Sequence, residues 1–168
     1  MQYRALGRTG LKTSAVGMGT YQTFDVSSPA EAERRRLIAE EALRLGVNFF
    51  DSAPMYGEAE RVLGLALEGR RERALIATKV LERDVRSARE SIERSFKLLR
   101  TEVIDLLQIH NMAGWRAVTP VLQELREEGR VRFTGLTDYR VSNYPEMMEA
   151  MRTGLYDTIQ IPYHVGET

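Results

Sequence analysis

Four side chains able to move or stabilise a proton stand at, or just beyond, the ends of apolar runs. Asp51 closes Val47-Asn48-Phe49-Phe50, and Tyr56 follows five residues later in a glycine-containing loop. Lys79 closes Leu75-Ile76-Ala77-Thr78, and His110 closes Leu106-Leu107-Gln108-Ile109. Three successive apolar runs thus deliver a carboxylate, a phenol, an ammonium and an imidazole. Each alone has a plain structural use. An Asp at a strand end commonly caps a turn, a loop Tyr packs, a Lys after a strand reaches solvent, and a lone His satisfies local hydrogen bonds. Their recurrence at one end of the runs points to a shared site, because β/α barrels place their chemistry at the carboxyl ends of the strands.

Such groups need a repeating scaffold, and the chain has one. Five short apolar runs read as buried parallel strands, at residues 48–51, 74–78, 104–109, 132–136 and 158–161, with a sixth before them at 15–18. The first residues of the five lie 26, 30, 28 and 26 positions apart, the length of one strand, loop, helix and return loop. Helical stripes fall between them: Leu37, Ile38, Ala42 and Leu45; Val85, Ala88, Ile92, Phe96 and Leu99; Val121, Leu122 and Leu125. Ser28-Pro29-Ala30-Glu31 reads as a capping box with proline at the first helical position, and Thr119-Pro120 as a similar start. Gly46, Gly69, Gly129 and Gly154 stand where helices should stop.

Alternating helices and parallel strands build either an open doubly wound sheet or a closed barrel. The open type wants a glycine-rich phosphate turn after its first strand. The turn here, Gly17-Met18-Gly19-Thr20, lacks the third glycine. The regular spacing favours an α/β fold of the (β/α)8 TIM-barrel type, with about six strands present. A full barrel takes eight units in about 250 residues, so residues 1–168 read as a single domain two units short. Either the chain is part of a longer protein, or its outer strands are open edges through which copies could self-associate.

Composition narrows the partners. The 24 basic and 24 acidic residues cancel, which leaves no electrostatic footprint for nucleic acid or an anionic membrane. Arg34-Arg35-Arg36 lies among Glu31, Glu33, Glu40 and Glu41 and reads as a solvated helix face. There are no cysteines, so neither disulfides nor a thiolate site is possible, which fits a cytoplasmic location. Residues 1–10 are polar and lack the apolar core of a signal peptide.

Over its whole length the sequence resembles the aldo-keto reductase family. Leu6-Gly7-Arg8-Thr9-Gly10-Leu11 resembles the N-terminal hairpin that plugs the barrel floor in that family, and Gly17-Met18-Gly19-Thr20-Tyr21 the end of its first strand. Asn48-Phe49-Phe50-Asp51-Ser52-Ala53 with Tyr56-Gly57 is the most specific signature. Ala77-Thr78-Lys79 and Ile104-Asp105-Leu106-Leu107-Gln108-Ile109-His110 resemble the lysine and histidine segments. The resemblance implies a catalytic tetrad of Asp51, Tyr56, Lys79 and His110, reduction of a small-molecule aldehyde or ketone, and NADP(H) as cofactor without a metal. It implies nicotinamide contacts near Thr20, Tyr21, Asp51, Thr137, Asp138 and Gln160. Two positions depart from the family pattern. Thr137-Asp138 stands where Ser-Asn holds the carboxamide, and His164 where Asn is common. The family's seventh and eighth units, which grip the pyrophosphate and the 2′-phosphate, lie beyond this sequence.

In that reading Tyr56 is the general acid. A free phenol titrates about three units above neutrality, a gap of roughly 4 kcal/mol. An ammonium about 4 Å away at an effective dielectric near 20 contributes about 4 kcal/mol. Lys79 is therefore expected to tune the phenol, Asp51 to keep Lys79 charged, and His110 to orient the carbonyl oxygen. Trp115 is placed either in the substrate pocket or in the core. Two other readings compete: a catalytically inactive, reductase-like binding or regulatory module, and a metal-dependent barrel isomerase using Asp51, His110 and His164. The second lacks a recognisable ligand spacing.

Overall fold

The run Ile104–Ile109 is buried at every position, which a strand tolerates only when both faces and both edges are covered. It lies in the middle of a six-stranded parallel sheet in a computed structural model that describes residues 1–164 and residue 166. The strands follow chain order: β3 (Met18–Gly19), β4 (Phe49–Asp51), β5 (Leu75–Val80), β6 (Ile104–Ile109), β7 (Val131–Thr137) and β8 (Thr158–Gln160). The helices are α1 (Pro29–Arg44), α2 (Ala59–Ala66), α3 (Val85–Leu99), α4 (Trp115–Glu127) and α5 (Tyr144–Arg152). This is the curled sheet of an incomplete (β/α)8-type barrel. A separate antiparallel hairpin, β1 (Tyr3–Ala5) and β2 (Lys12–Ser14), precedes it. Asn48 ties the hairpin to the foot of β4: its Oδ1 accepts from the Ser14 N–H at 2.7 Å and its Nδ2 donates to the Lys12 carbonyl at 2.9 Å.

Alternation along the strands sorts side chains between two compartments. Phe50, Ile76, Leu107, Ile109 and Leu136 join the core between sheet and helices. Asp51, Lys79, Gln108 and His110 take the alternate positions and face the concave side. At the amino end of the sheet Asp105 accepts from Arg71 and Arg132, each at 2.7 Å, and from the Ile76 N–H at 2.9 Å. That network locks β5, β6 and β7 in register on the side away from the candidate site.

Several boundaries differ from the sequence reading, for local reasons. β5 continues through Val80, since Lys79 and Val80 pair with Gln108 and Ile109 of β6, and β7 continues through Thr137, which pairs with Gln160 of β8. The run expected at 15–18 contributes only Met18 and Gly19. The core face of α1 is Ala39, Ala42 and Leu43, whereas Leu37, Ile38 and Leu45 are half exposed. Arg70 reaches Glu40 at 3.1 Å and Arg73 reaches the Leu43 carbonyl at 3.4 Å beside that face. α4 begins at Trp115, not at Thr119-Pro120. The Trp115 indole donates to Glu146 of α5, and the Thr119 hydroxyl is taken by the Trp115 carbonyl and Tyr156, so Thr119 is not free to cap. α2 and α5 had no legible stripe. α2 is buried on nearly every side.

Other signals appear as expected. Ser28 accepts from the Glu31 N–H at 3.2 Å. The Glu31 carboxylate turns instead to Arg34 and Arg35 on the solvated face. Gly46, Gly69, Gly129 and Gly154 all adopt left-handed φ, between +71° and +89°.

The tightest helix contact gives a prediction. A Cβ on Gly64 of α2 would meet the Leu98 carbonyl oxygen at 2.2 Å and the Leu99 backbone at 2.9 Å. Backbone cannot give way as a flexible side chain can. Gly64→Ala is expected to lower stability by about 1–3 kcal/mol despite alanine's better helix propensity. Chemical denaturation would read this. A stabilised variant would mean that α2 and α3 are not in backbone contact.

Candidate active site

The carboxyl ends of β4, β5 and β6 bring together the four groups read from the sequence. Lys79 is 3% exposed, and its ammonium donates to Asp51 Oδ2 at 2.6 Å and to the Ser52 carbonyl at 2.8 Å. The same ammonium lies 5.2 Å from the centroid of the Tyr56 ring, over its face. His110 meets Tyr56 edge-on, with ring centroids 6.1 Å apart and planes at 87°. Tyr21 leans on the other side of Tyr56 at 5.0 Å. Tyr56, Lys79 and His110 share a cavity of about 320 Å³ with Asn111, Thr137, Asp138, Tyr139 and Gln160.

Burial sets the charge states, and the phenol differs from expectation. Tyr56 is shifted upward by burial, by the Asp51 carboxylate and by Tyr21. Lys79 does not draw it down, because the ammonium sits over the ring and directs its donors to Asp51 and Ser52. The phenol is therefore fully protonated near neutrality. Burial lowers Lys79, while Asp51 and Glu60 pull it back up. His110 is pushed down to about 4 by burial and by the Lys79 charge, against Asp138. Its imidazole is neutral at pH 7. Nδ1 is buried without a partner, so a proton on Nε2 is the one available to the cavity.

His110 also links stability to pH. The unfolded chain binds a proton below about 6.5 that the folded chain refuses until about 4. Stability is therefore complete above 6.5 and declines as pH falls toward 4. Between pH 6.5 and 4.5 wild type should lose about 2 kcal/mol more than His110→Gln. Parallel denaturation midpoints across that range would show that His110 is not the group responsible.

The residues expected to contact a cofactor divide by position. Gln160 lines the cavity; its Oε1 accepts from Gln108 Nε2 at 3.2 Å, which leaves its own amide N–H groups free to donate. Thr137 also lines it, and its hydroxyl accepts from the Asn111 N–H at 3.3 Å. Tyr21 is exposed beside Tyr56. Asp138 lines the cavity too, but Arg140 and Asn143 bind its carboxylate at 2.8–3.0 Å. Thr20 is fully buried, 3.0 Å from the Asp51 carbonyl and 2.9 Å from the Ser52 hydroxyl, behind the cavity wall. Asp51 keeps Oδ1 buried without a partner. The free amide donors of Gln160, the Thr137 hydroxyl and the exposed Tyr21 ring fit a nicotinamide and its carboxamide. Trp115 lies in a neighbouring cavity with Arg83 and Arg116.

Three features were not read from the sequence. The Ser52 carbonyl accepts from Lys79, Arg140 donates to the Asn111 carbonyl at 3.0 Å, and Asn111 adopts φ +54°. Asn tolerates that region better than most residues; no pattern in the chain announces it. Among the described residues no three His, Cys, Asp or Glu side chains converge to hold a metal. His164 is exposed, and its Nδ1 accepts from the Gly166 N–H at 3.1 Å. No helix of the described residues is long and apolar enough to cross a membrane.

Known proteins resemble this chain over nearly all of its length. The chain is 32% identical to an L-galactose dehydrogenase of Arabidopsis thaliana, over 99% of this chain and 57% of that protein. It is 30% identical to the aldo-keto reductase YhdN of Bacillus subtilis, over 99% of this chain and 55% of that one. The chain thus spans little more than half the length of these relatives. An aldo-keto reductase from Bacillus halodurans, solved in its holo form, superposes with a TM-score of 0.80 at 27% identity, over 97% of this chain and 58% of that one. A family model described as Aldo/keto reductase matches residues 15–166. Because that span holds all six parallel strands and all four converging groups, this chain belongs to the aldo/keto reductase family.

Proposed function

We infer that this chain carries the proton-transfer machinery of an NADPH-dependent carbonyl reductase acting on a small aldehyde or ketone. One observation carries the reading: a buried ammonium, anchored by a carboxylate at 2.6 Å, lies over the ring of a protonated phenol beside a neutral imidazole. When bound, the nicotinamide supplies the hydride. Gln160, Thr137 and Tyr21 would hold it, with Asp51, Thr20 and Asp138 shaping the wall behind them.

The chain's own residues supply the rest. His110 donates from Nε2 to the carbonyl oxygen and orients it. Tyr56 delivers its phenolic proton to that oxygen as negative charge develops there. An upward-shifted phenol is a weak acid, but a developing alkoxide is far more basic than a phenolate, so the transfer runs downhill. To stabilise the phenolate left on Tyr56, the Lys79 ammonium, 5.2 Å from the ring centroid, would turn a donor from the Ser52 carbonyl to the phenolic oxygen, while Asp51 keeps it charged and in place.

A binding module without catalysis is the second reading, favoured by the lack of a hydrogen bond between Lys79 and the Tyr56 hydroxyl. NADPH oxidation with a reactive aldehyde separates the two. Turnover supports the reductase. Saturable NADPH binding with no oxidation across a panel of aldehydes and ketones would leave the binding module.

A further inference from the structure

His110 is followed by two residues in the left-handed region, Asn111 at φ +54° and Met112 at φ +57°. The Ala113 N–H donates to the His110 carbonyl at 3.0 Å. Two positive φ angles closed by that bond make a type I′ turn, His110-Asn111-Met112-Ala113. Asparagine suits the first central position, but the second usually takes glycine. Methionine there carries the cost of a Cβ too close to the following carbonyl, and its side chain is buried in the core. Such a turn persists only where its surroundings over-determine it.

The end of β7 supplies that support. The Asn111 N–H donates to Thr137 Oγ1 at 3.3 Å, and the Asn111 carbonyl accepts from Arg140 Nη2 at 3.0 Å. Both backbone groups of the residue after His110 are thus taken by one neighbouring element. Arg140 is itself fixed. Asp138, whose side chain is fully buried, accepts from the Arg140 backbone N–H at 2.8 Å, from Nε at 3.0 Å and from Nη2 at 2.9 Å. A planar guanidinium gripped at Nε and Nη2 has its remaining N–H directions set, and the second hydrogen of Nη2 goes to Asn111. On the opposite side, a Cβ on Gly114 would meet the Arg83 Cα at 2.5 Å, so the turn is wedged between the loop after β5 and the end of β7. The imidazole has little else to fix it: Nδ1 is buried without a partner, and the ring meets Tyr56 edge-on.

We propose that Arg140 is a positioning residue for His110. Anchored by Asp138, it holds the strained turn that ends β6 and so sets where the imidazole stands against Tyr56. The consequence for catalysis rests on the reductase reading; the clamp on the turn does not.

In Arg140→Met the turn should open. Amide exchange followed by NMR should be faster at Asn111 and Ala113 by about tenfold or more, the low end for losing a hydrogen bond from a charged group, with Leu107 in the middle of β6 within about twofold. Arg140→Met/Asp138→Asn leaves no unpaired charge beside His110 and should do the same. Asn143→Ala also takes a donor from Asp138 but does not touch the turn, and should leave all three amides as they were. With the turn open, kcat for aldehyde reduction should fall by about 10–10²-fold, the scale for a displaced catalytic group, at NADPH affinity within about twofold. Unchanged exchange at Asn111 and Ala113 overturns the proposal. So does equal acceleration at Leu107, which would make Arg140 a support of the whole sheet, or opening in the single variant alone, which would implicate the bare Asp138 charge. Faster exchange with wild-type kcat would show that the imidazole does not depend on the turn. If wild type reduces no aldehyde, the reductase reading fails by itself. The nuclear Overhauser contact between the His110 and Tyr56 rings, lost in Arg140→Met and kept in Asn143→Ala, then decides the positioning; its survival in Arg140→Met would refute it.

Discussion

Tyr56→Phe is expected to lower kcat/KM for aldehyde reduction by about 10²–10⁴-fold, the range for loss of a positioned general acid, with NADPH affinity unchanged within about twofold. Phe keeps the ring between Tyr21 and His110 and under the Lys79 ammonium, and removes only the hydroxyl. Affinity for the cofactor therefore has no reason to move, whereas the proton needed at the carbonyl oxygen loses its source. Steady-state rates with fluorescence titration of NADPH read the two quantities separately. Wild-type rates in the variant would remove Tyr56 from the chemistry. Equal losses of rate and of NADPH affinity would assign it to binding.

Lys79→Met should have the largest effect on stability. Methionine matches the length of the lysine stem but leaves the Asp51 carboxylate with its main partner gone and Oδ1 already unpartnered. Removing one member of a buried pair costs about 3–5 kcal/mol; partial exposure of Asp51 places this site at the lower end, about 3 kcal/mol. The double variant Lys79→Met/Asp51→Asn should recover most of that loss while turnover remains absent. Denaturant unfolding of the four proteins closes the cycle. If the double variant is as unstable as the single one, unpaired charge is not the cause. If turnover returns with stability, the ammonium has no chemical part.

Those outcomes bear on how the site was legible in the sequence. Asp51, Tyr56, Lys79 and His110 were visible because polar residues interrupt apolar runs at one repeated place, and the structure brings all four together. Their electrostatics were not visible. The sequence reading had Lys79 lowering the phenol, whereas burial, the Asp51 carboxylate and Tyr21 raise it, and the ammonium directs its donors to Asp51 and the Ser52 carbonyl. The sequence reading gave Glu60 no role. Only the packing of α2 against β5 and α3 reveals that Thr78 and Ser95 enclose it. The stripe assigned to α1 failed similarly. Its sequence offers two adjacent apolar faces, and only the packing of α1 against α2 decides that Ala39, Ala42 and Leu43 form the buried one.

By itself the sequence determined the parallel β/α repeat, the four left-handed glycine stops and the rim on which the polar groups stand. These depend on periods of 2 and 3.6 residues and on backbone freedom at single positions, all local properties. Tertiary structure alone decided which donor meets which acceptor, how far each group is desolvated and hence which way its proton equilibrium moves. Lys79 and Asp51 are 28 positions apart, and their 2.6 Å contact exists only after β4 and β5 have paired in register. Charge state follows from that distance and from the removal of water, neither of which is written in any stretch of chain short enough to have a pattern.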